Sequence, residues 1–155
     1  PSSDTFLDLQ ASTQHFELFS FTVAGFTYAK VNFMASQPYR RTDFIYTPNY
    51  CEENVYLLLQ KLQADNLSGE FHVVFVSNSS SSVALFAQAK GNPKSDHMIV
   101  WSSALQDYHV FLIHTASGSH WVFDFDTILD FPVSFSVYRK YGLRENALLP
   151  DEFRR

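Results

Sequence analysis

One cysteine, Cys51, is the strongest candidate for nucleophilic chemistry in this sequence. It follows the turn-like residues 47–50 and precedes apolar residues spaced i, i+3, i+4 and i+7, namely Val55, Leu58, Leu59 and Leu62. That spacing predicts a helix over residues 50–63, with Cys51 in its first turn. There, the helix dipole and the backbone N–H groups would favour a thiolate and could also hold an oxyanion.

Two glutamates follow Cys51 directly. Asn49 and Glu52 have the spacing of a capping box, so Asn49 is predicted to cap the helix. The negative charges of Glu52 and Glu53 disfavour a thiolate beside them. The nucleophile would therefore need a basic partner from elsewhere in the chain.

A predicted β-hairpin offers that partner. Residues 108–114 and 120–126 read as strands, and residues 115–119 read as the loop between them. If residues 115–118 form a four-residue loop, His109 lies opposite Asp124, with Cβ atoms roughly 4.5–5.5 Å apart. Asp124 could then orient His109, and His109 could take the thiol proton. Asp126 lies on the same face and competes for the role of the acid.

Each of these residues also has a structural interpretation. A lone cysteine is commonly a small buried apolar side chain, and a histidine or aspartate in a sheet is commonly held by hydrogen bonds alone. The remaining histidines lack metal-ligand spacing, so no metal site is predicted; they are His15, His72, His97, His114 and His120.

The composition limits the class of protein. The 155 residues suit one domain, and 46% hydrophobic residues allow a packed core. Sixteen Phe and eight Tyr favour a sheet. With a net charge of −5 and no basic stripe, a nucleic-acid partner is not expected. A single cysteine favours a reducing compartment, and the apolar stretch 18–29 is too short to span a membrane.

The pattern along the chain predicts an α/β (α+β) fold. A strand or hairpin is expected within residues 16–33, a buried strand at 71–77, and further strands at 83–86 and 98–101. We therefore expect one compact domain with a sheet rich in antiparallel strands. A helix start that presents Cys to a strand pair with His and Asp is the arrangement of papain-like and transglutaminase-like enzymes. Residues 1–40 are predicted to be an N-terminal extension with no assigned role, and residues 41–155 the catalytic domain.

Several segments resemble the protein N-terminal glutamine amidohydrolases, notably the plant-like members. Residues 46–56 (YTPNYCEENVY) resemble the nucleophile segment of that family, residues 107–110 (DYHV) its histidine segment, and residues 123–129 (FDFDTIL) with Phe131 and Pro132 its aspartate segment. Residues 75–78 and Gln88 fit the stretch between. The resemblance covers residues 43–155.

The resemblance implies roles for the three candidate residues. Cys51 would be the nucleophile, His109 the general base and then acid, and Asp124 the orienting carboxylate. The family implies a fold related to transglutaminases and no cofactor. Its reaction converts N-terminal Gln of proteins and peptides into Glu and ammonia, and the product enters arginylation and the N-degron pathway in cytosol and nucleus. A monomer is expected.

Selectivity for an N-terminus would require a group that recognises the α-ammonium. Glu53, Asp107 and Asp126 are the candidates, and the sequence does not choose among them.

The chain also departs from the family pattern. Residues 102–106 intervene between Trp101 and Asp107, and the family is expected to continue beyond Arg155, so that part of its fold is missing here. Two alternatives therefore stay open. One is an inactive or binding-only remnant of the family, and the other is a related thiol hydrolase or transglutaminase-like acyltransferase.

Overall fold

A computed structural model describes the backbone of residues 17–23 and 26–32, and residues 39–102 and 108–155 in full. Contacts divide the chain into two units, Pro1–Pro38 and Tyr39–Arg155. In the first unit, strands β1 (Glu17–Val23) and β2 (Phe26–Asn32) pair antiparallel, with Glu17 opposite Asn32. The pairing is a hairpin, one of the two alternatives expected from the alternating pattern.

The second unit is an α+β domain with antiparallel sheets, as predicted. Its strands and α-helices are β3 (Glu70–Ser77), β4 (Ser82–Leu85), β5 (Ile99–Ser102), β6 (Tyr108–Ala116), β7 (Ser119–Phe123), β8 (Val133–Ser134), α1 (Cys51–Ala64) and α2 (Phe135–Tyr138). Four strands form one sheet in the order β3-β6-β7-β8, and β4 pairs with β5. Within the described residues, no helix is both long enough and apolar enough to cross a membrane.

Helix α1 follows the apolar spacing that predicted it. Val55, Leu58 and Leu62 are buried, and Asp65 and Asn66 end the helix, with Asn66 in the left-handed region at φ 57°. At the other end, the predicted capping box is wrong. Tyr50 is the residue before the first turn, and its side chain makes no hydrogen bond to the helix.

Asn49 has a different use from the predicted cap. It takes a left-handed conformation, φ 68°, and its side-chain oxygen accepts a hydrogen bond from Lys90 Nζ at 2.6 Å. Asn tolerates this conformation better than most residues. Asn49 therefore ends the preceding turn and places Cys51 as the first residue of α1.

Both faces of the four-stranded sheet are covered. On one face, α1 packs against a cluster that includes Val110, Leu112 and Phe123. On the other face, the β4-β5 pair and α2 supply a second cluster with Val83, Leu85, Trp101, Phe111, Val122 and Tyr138. Alternate residues of β6 therefore point into two different cores, because successive side chains of a strand face opposite sides.

Strand β3 forms where predicted, but it is not buried. It lies at the edge of the sheet, where Val76 is buried and Phe75 is 59% exposed. An apolar run is compatible with either position. Only the strand order, which no local pattern carries, separates a central strand from an edge strand.

The β6–β7 hairpin is tighter than the predicted four-residue loop. Ala116 pairs with Ser119, so the turn consists of Ser117 and Gly118, both with positive φ. Two positive φ values are typical of a type I′ turn, whose twist matches that of the flanking strands. The pairing is displaced by two residues from the predicted register, so each side chain keeps its expected face. Strand β7 also ends at Phe123, three residues earlier than predicted.

The packing predicts that truncation of a buried leucine lowers the free energy of unfolding far more than truncation of an exposed leucine. Leu58→Ala should lower the free energy of unfolding by about 2–5 kcal/mol, because Leu58 is fully buried between α1 and the sheet. Leu148→Ala is the control, since Leu148 is 79% exposed and its truncation should cost less than about 0.5 kcal/mol. Urea unfolding followed by circular dichroism measures both. Equal losses would contradict this description of the core.

Candidate active site

A buried histidine–aspartate pair lies at the centre of the second unit. His109 is the second residue of β6, and Asp124 comes directly after the end of β7. His109 Nε2 lies 2.9 Å from Asp124 Oδ1, and both side chains are no more than 1% exposed. His109 and Asp124 therefore form the predicted contact, although the predicted register of the hairpin is wrong.

The Asp124 carboxylate is held by four hydrogen bonds. Oδ1 accepts from His109 Nε2 and from the backbone N–H of Asp126 at 3.0 Å. Oδ2 accepts from Gln88 Nε2 at 3.1 Å and from the Tyr138 hydroxyl at 2.8 Å. A buried carboxylate is expensive unless it is well hydrogen-bonded, and this one has two donors on each oxygen.

The electrostatics of the pair favour a proton on His109 and an ionised Asp124. Burial alone would lower the pKa of His109, but the charge of Asp124 and the hydrogen bond to it outweigh burial and raise that pKa above its usual value. Burial would likewise raise the pKa of Asp124, yet the charge of His109 and the hydrogen bonds from His109, Gln88 and Asp126 lower it. Asp124 therefore stays ionised and favours a proton on His109.

Cys51 is the third member of the group. It is the first residue of α1, is 4% exposed, and packs in the cluster beneath the helix. Hydrogen bonding with Cys51 is one of the interactions that raise the pKa of His109. Nδ1 of His109 is buried and has no hydrogen bond of ordinary geometry among the described residues. With Nε2 donating to Asp124, Nδ1 is the ring nitrogen left for proton exchange with the thiol.

The imidazole plane is fixed by an aromatic neighbour. The ring of Trp101, at the end of β5, stacks on His109 with centroids 4.7 Å apart and planes 19° apart. Trp101 is itself buried. Stacking favours the imidazolium form and prevents the ring from tilting away from Asp124.

Glu52 also reaches the thiol. The Sγ–H of Cys51 donates to Glu52 Oε2 at 3.6 Å, and the Tyr108 hydroxyl donates to Glu52 Oε1. The carboxylate expected to oppose a thiolate is thus in direct contact with the sulfur. Tyr108 holds one of its oxygens and spreads part of its charge.

The candidate readers of an α-ammonium differ in their placement. Asp126 is buried beside the pair, and its Oδ1 accepts from the Tyr46 hydroxyl at 2.6 Å. Glu53 is exposed on the first turn of α1. Asp107 and residues 103–106 of the insertion lie outside the described residues.

Ligand atoms of His109, Asp124 and Asp126 lie within 4.8 Å of one another. Three such groups could in principle approach one metal ion. However, both oxygens of Asp124 already accept two hydrogen bonds each, and Asp126 Oδ1 accepts one from Tyr46. The donors around these oxygens suit a network that holds a charge and a proton.

A sequence model of the N-terminal glutamine amidase family matches residues 46–155, a stretch that includes Cys51, His109 and Asp124. This chain belongs to that family. The match includes every residue of the hydrogen-bond network described above.

Individual relatives agree with this membership. Three proteins named protein N-terminal glutamine amidohydrolase are similar to the chain: one from Danio rerio at 37% identity over 61% of this chain and 45% of that protein, one from Drosophila pseudoobscura pseudoobscura at 36% over 73% and 54%, and one from Homo sapiens at 30% over 82% and 60%. The chain spans about half the length of the curated relatives it matches.

Several members of the network are not predicted from the sequence. The resemblance includes Gln88 without a role, and it gives Tyr138 and Trp101 no place in the site. A local signal existed for Asn54, a poor helix former within α1, whose side chain bonds both the N–H and the C=O of Thr47 at 2.8 Å. Asn54 thereby fixes the turn that precedes Cys51.

The pair predicts a specific pH dependence of stability. Because the pKa of His109 is raised in the folded state, His109 stabilises the fold fully below about pH 6.5, its pKa in the unfolded chain. This stabilisation is lost as pH rises through the pKa of the folded state. The lowered pKa of Asp124 contributes above about pH 3.9 and is lost as pH falls through its folded pKa. The pair should therefore stabilise most between about pH 4 and 6.5.

Urea unfolding at several pH values tests this window. Asp124→Asn should remove the decline in stability that His109 causes above about pH 6.5. Asp96→Asn is the matched control, because the ion pair of Asp96 with Arg144 is at the surface. If the Asp124 and Asp96 variants keep the same pH profile as the parent chain, the ion-pair description is wrong.

Proposed function

We propose that this chain deamidates N-terminal glutamine of proteins and peptides to glutamate, with release of ammonia, by thiol chemistry. The observation that carries the proposal is a cysteine at a helix start beside a buried His–Asp pair, inside the stretch matched by the family. In this proposal the three side chains work as in papain-like and transglutaminase-like enzymes. The relatives' names support the choice of N-terminal Gln as the substrate.

In the first half of the reaction, His109 accepts the thiol proton and Cys51 Sγ attacks the side-chain carboxamide carbon of the substrate Gln. The carbonyl oxygen becomes an oxyanion, which backbone N–H groups at the start of α1 stabilise. His109 then donates its proton to the leaving nitrogen. Ammonia departs, and a thioester joins Cys51 to the substrate.

In the second half, water attacks the thioester carbon. His109 takes a proton from the water, the carbon–sulfur bond breaks, and the proton passes to the sulfur. The product is N-terminal Glu, and Cys51 and His109 return to their starting forms. The raised pKa of His109 suits this cycle, because an imidazolium is the donor that ammonia departure requires.

Recognition of the N-terminus is part of the proposal. Glu53, Asp107 and Asp126 are the acidic groups proposed to read the α-ammonium, and of these Asp126 lies beside the His–Asp pair. We further propose that the product enters arginylation and the N-degron pathway in cytosol and nucleus. A reporter protein that starts with Gln is expressed in cells with this chain and in cells with its Cys51→Ala variant. Faster turnover of the reporter with the parent chain would support that role, and equal turnover would contradict it.

Ammonia release from a short peptide with N-terminal Gln tests the reaction. Cys51→Ala should reduce the rate at least about 10⁴-fold, because no other residue of the chain is a cysteine. His109→Gln should reduce it about 10²- to 10⁴-fold, through loss of general acid–base catalysis. His72→Gln is the matched control, since His72 is an exposed residue of β3 away from the site, and it should keep the parent rate.

The same assay separates the alternatives. The N-acetylated peptide should be inert if the chain reads a free α-ammonium, whereas a transglutaminase-like enzyme that acts on internal Gln should still use it. A folded parent chain that releases no ammonia would overturn the proposed activity. Peptide binding without ammonia release would then favour a binding-only member of the family.

A further inference from the structure

We propose that Tyr138 and Gln88 are positioning residues, which act through Asp124 to keep His109 in its working orientation. This inference rests on the proposed function, because it assigns a purpose to the carboxylate at the site. Neither residue bonds to His109 in the described structure. Both bond to the carboxylate oxygen that His109 does not use.

The two oxygens of Asp124 have separate partners. Oδ1 faces His109 Nε2, and Oδ2 faces the Tyr138 hydroxyl and the Gln88 amide. A carboxylate can turn about its last torsion and exchange its oxygens, because that torsion has broad minima. Two donors on Oδ2 oppose this rotation, so the imidazole always meets the same oxygen.

The orientation of the Gln88 amide is dictated by Asp124. Gln88 is 1% exposed, and its Nε2 donates to Asp124 Oδ2, while its Oε1 is buried and has no donor among the described residues. Turning the amide over would place two acceptor oxygens against each other. The amide therefore keeps its donor on Asp124, although none of the described residues donates to its carbonyl.

Tyr138 is held just as firmly. It is fully buried, its ring lies 5.0 Å from that of Phe111, and it ends α2 where the π-helix Arg139–Leu143 begins. A Cβ added at Gly142 would lie 3.1 Å from Tyr138 Cε2, so the absence of a side chain there leaves room for the ring. Burial and the charge of Asp124 raise the pKa of Tyr138, so its hydroxyl keeps the proton that it donates.

The chemical consequence concerns where the proton resides. A carboxylate with four donors is a weak base, so it does not take the Nε2 proton from His109. The imidazole then keeps Nε2–H toward Asp124 and uses Nδ1 toward the thiol. This tautomer is the one the proposed reaction needs.

Other charged and titratable groups surround this network and are constant in the comparison below. His109 on β6 and Tyr46 before α1 interact with Asp124. Cys51 on α1 and Asp126 interact with His109, and Arg155 interacts with Tyr138.

The test removes one donor at a time. Tyr138→Phe deletes a single hydroxyl, and Gln88→Glu replaces the amide with a carboxyl of the same shape. Tyr141→Phe is the matched control, because it deletes a hydroxyl three residues after Tyr138. The Tyr141 ring is half-exposed, and Lys140 Nζ lies over it. Circular dichroism and thermal unfolding establish whether each variant is folded. Gln88→Met is measured in place of any variant that does not fold.

Two readouts distinguish positioning from general support of the fold. The pH titration of the Asp124 carboxyl carbon by ¹³C NMR should shift upward in Tyr138→Phe, and further in Gln88→Glu, where two carboxyl groups adjoin. In the ammonia assay, kcat should fall about tenfold for Tyr138→Phe while KM is unchanged, because the hydroxyl touches Asp124 and not the substrate. Tyr141→Phe should change neither.

Failure of this inference differs from failure of the proposed function. An unchanged Asp124 titration in folded Tyr138→Phe and Gln88→Glu, or an equal shift in Tyr141→Phe, would overturn the positioning role even if ammonia is released. The expected NMR shifts in a parent chain that releases no ammonia would support the positioning of Asp124 and refute the enzymatic proposal.

Discussion

The buried carboxylate of Asp124 is the constraint on which the rest of the site depends. A charge removed from water must be compensated by nearby opposite charge and hydrogen bonds, or the group becomes neutral. Here the compensation comes from four places in the chain: β6 supplies His109, the segment after β4 supplies Gln88, α2 supplies Tyr138, and the turn after β7 supplies a backbone N–H. Segments separated by up to fifty residues must therefore pack together for the charge to be tolerated.

This requirement explains features that apolar packing alone would not select. The short helix α2 changes into a π-helix directly after Tyr138, and π-helical turns are rare and concentrate at functional sites. The Phe86 N–H donates to Gly142 O, which ties the strand side of the site to the π-helix. Gln88 Oε1 has no donor among the residues that the structure describes. The π-helix has a local cost, and all three features help to bring a donor to Asp124.

Local patterns in the sequence predict individual helices and strands, but they do not predict which elements lie next to each other. The spacing of Val55, Leu58 and Leu62 predicted α1, since periodicity is a property of consecutive residues. Side-chain periodicity also placed His109 and Asp124 on one face. The edge position of β3 and the roles of Gln88 and Tyr138 depend on contacts between distant segments, which no single-sequence pattern encodes. The catalytic roles of Cys51, His109 and Asp124 and their transglutaminase-like arrangement stay predictions.

The end of β7 shows why a wrong register still led to the right pair. In the observed register, a β7 that continued past Phe123 would place Asp124 opposite Phe111 and Asp126 opposite His109. Instead, Asp124 Oδ1 accepts a hydrogen bond from the N–H of Asp126, two residues on, which is the pattern of an Asx turn. Such local bonds compete with strand pairing. Asp124 Oδ1 thus ends the strand and also accepts the hydrogen bond from His109. The carboxylate of the site therefore sets the backbone geometry that brings Asp124 to His109.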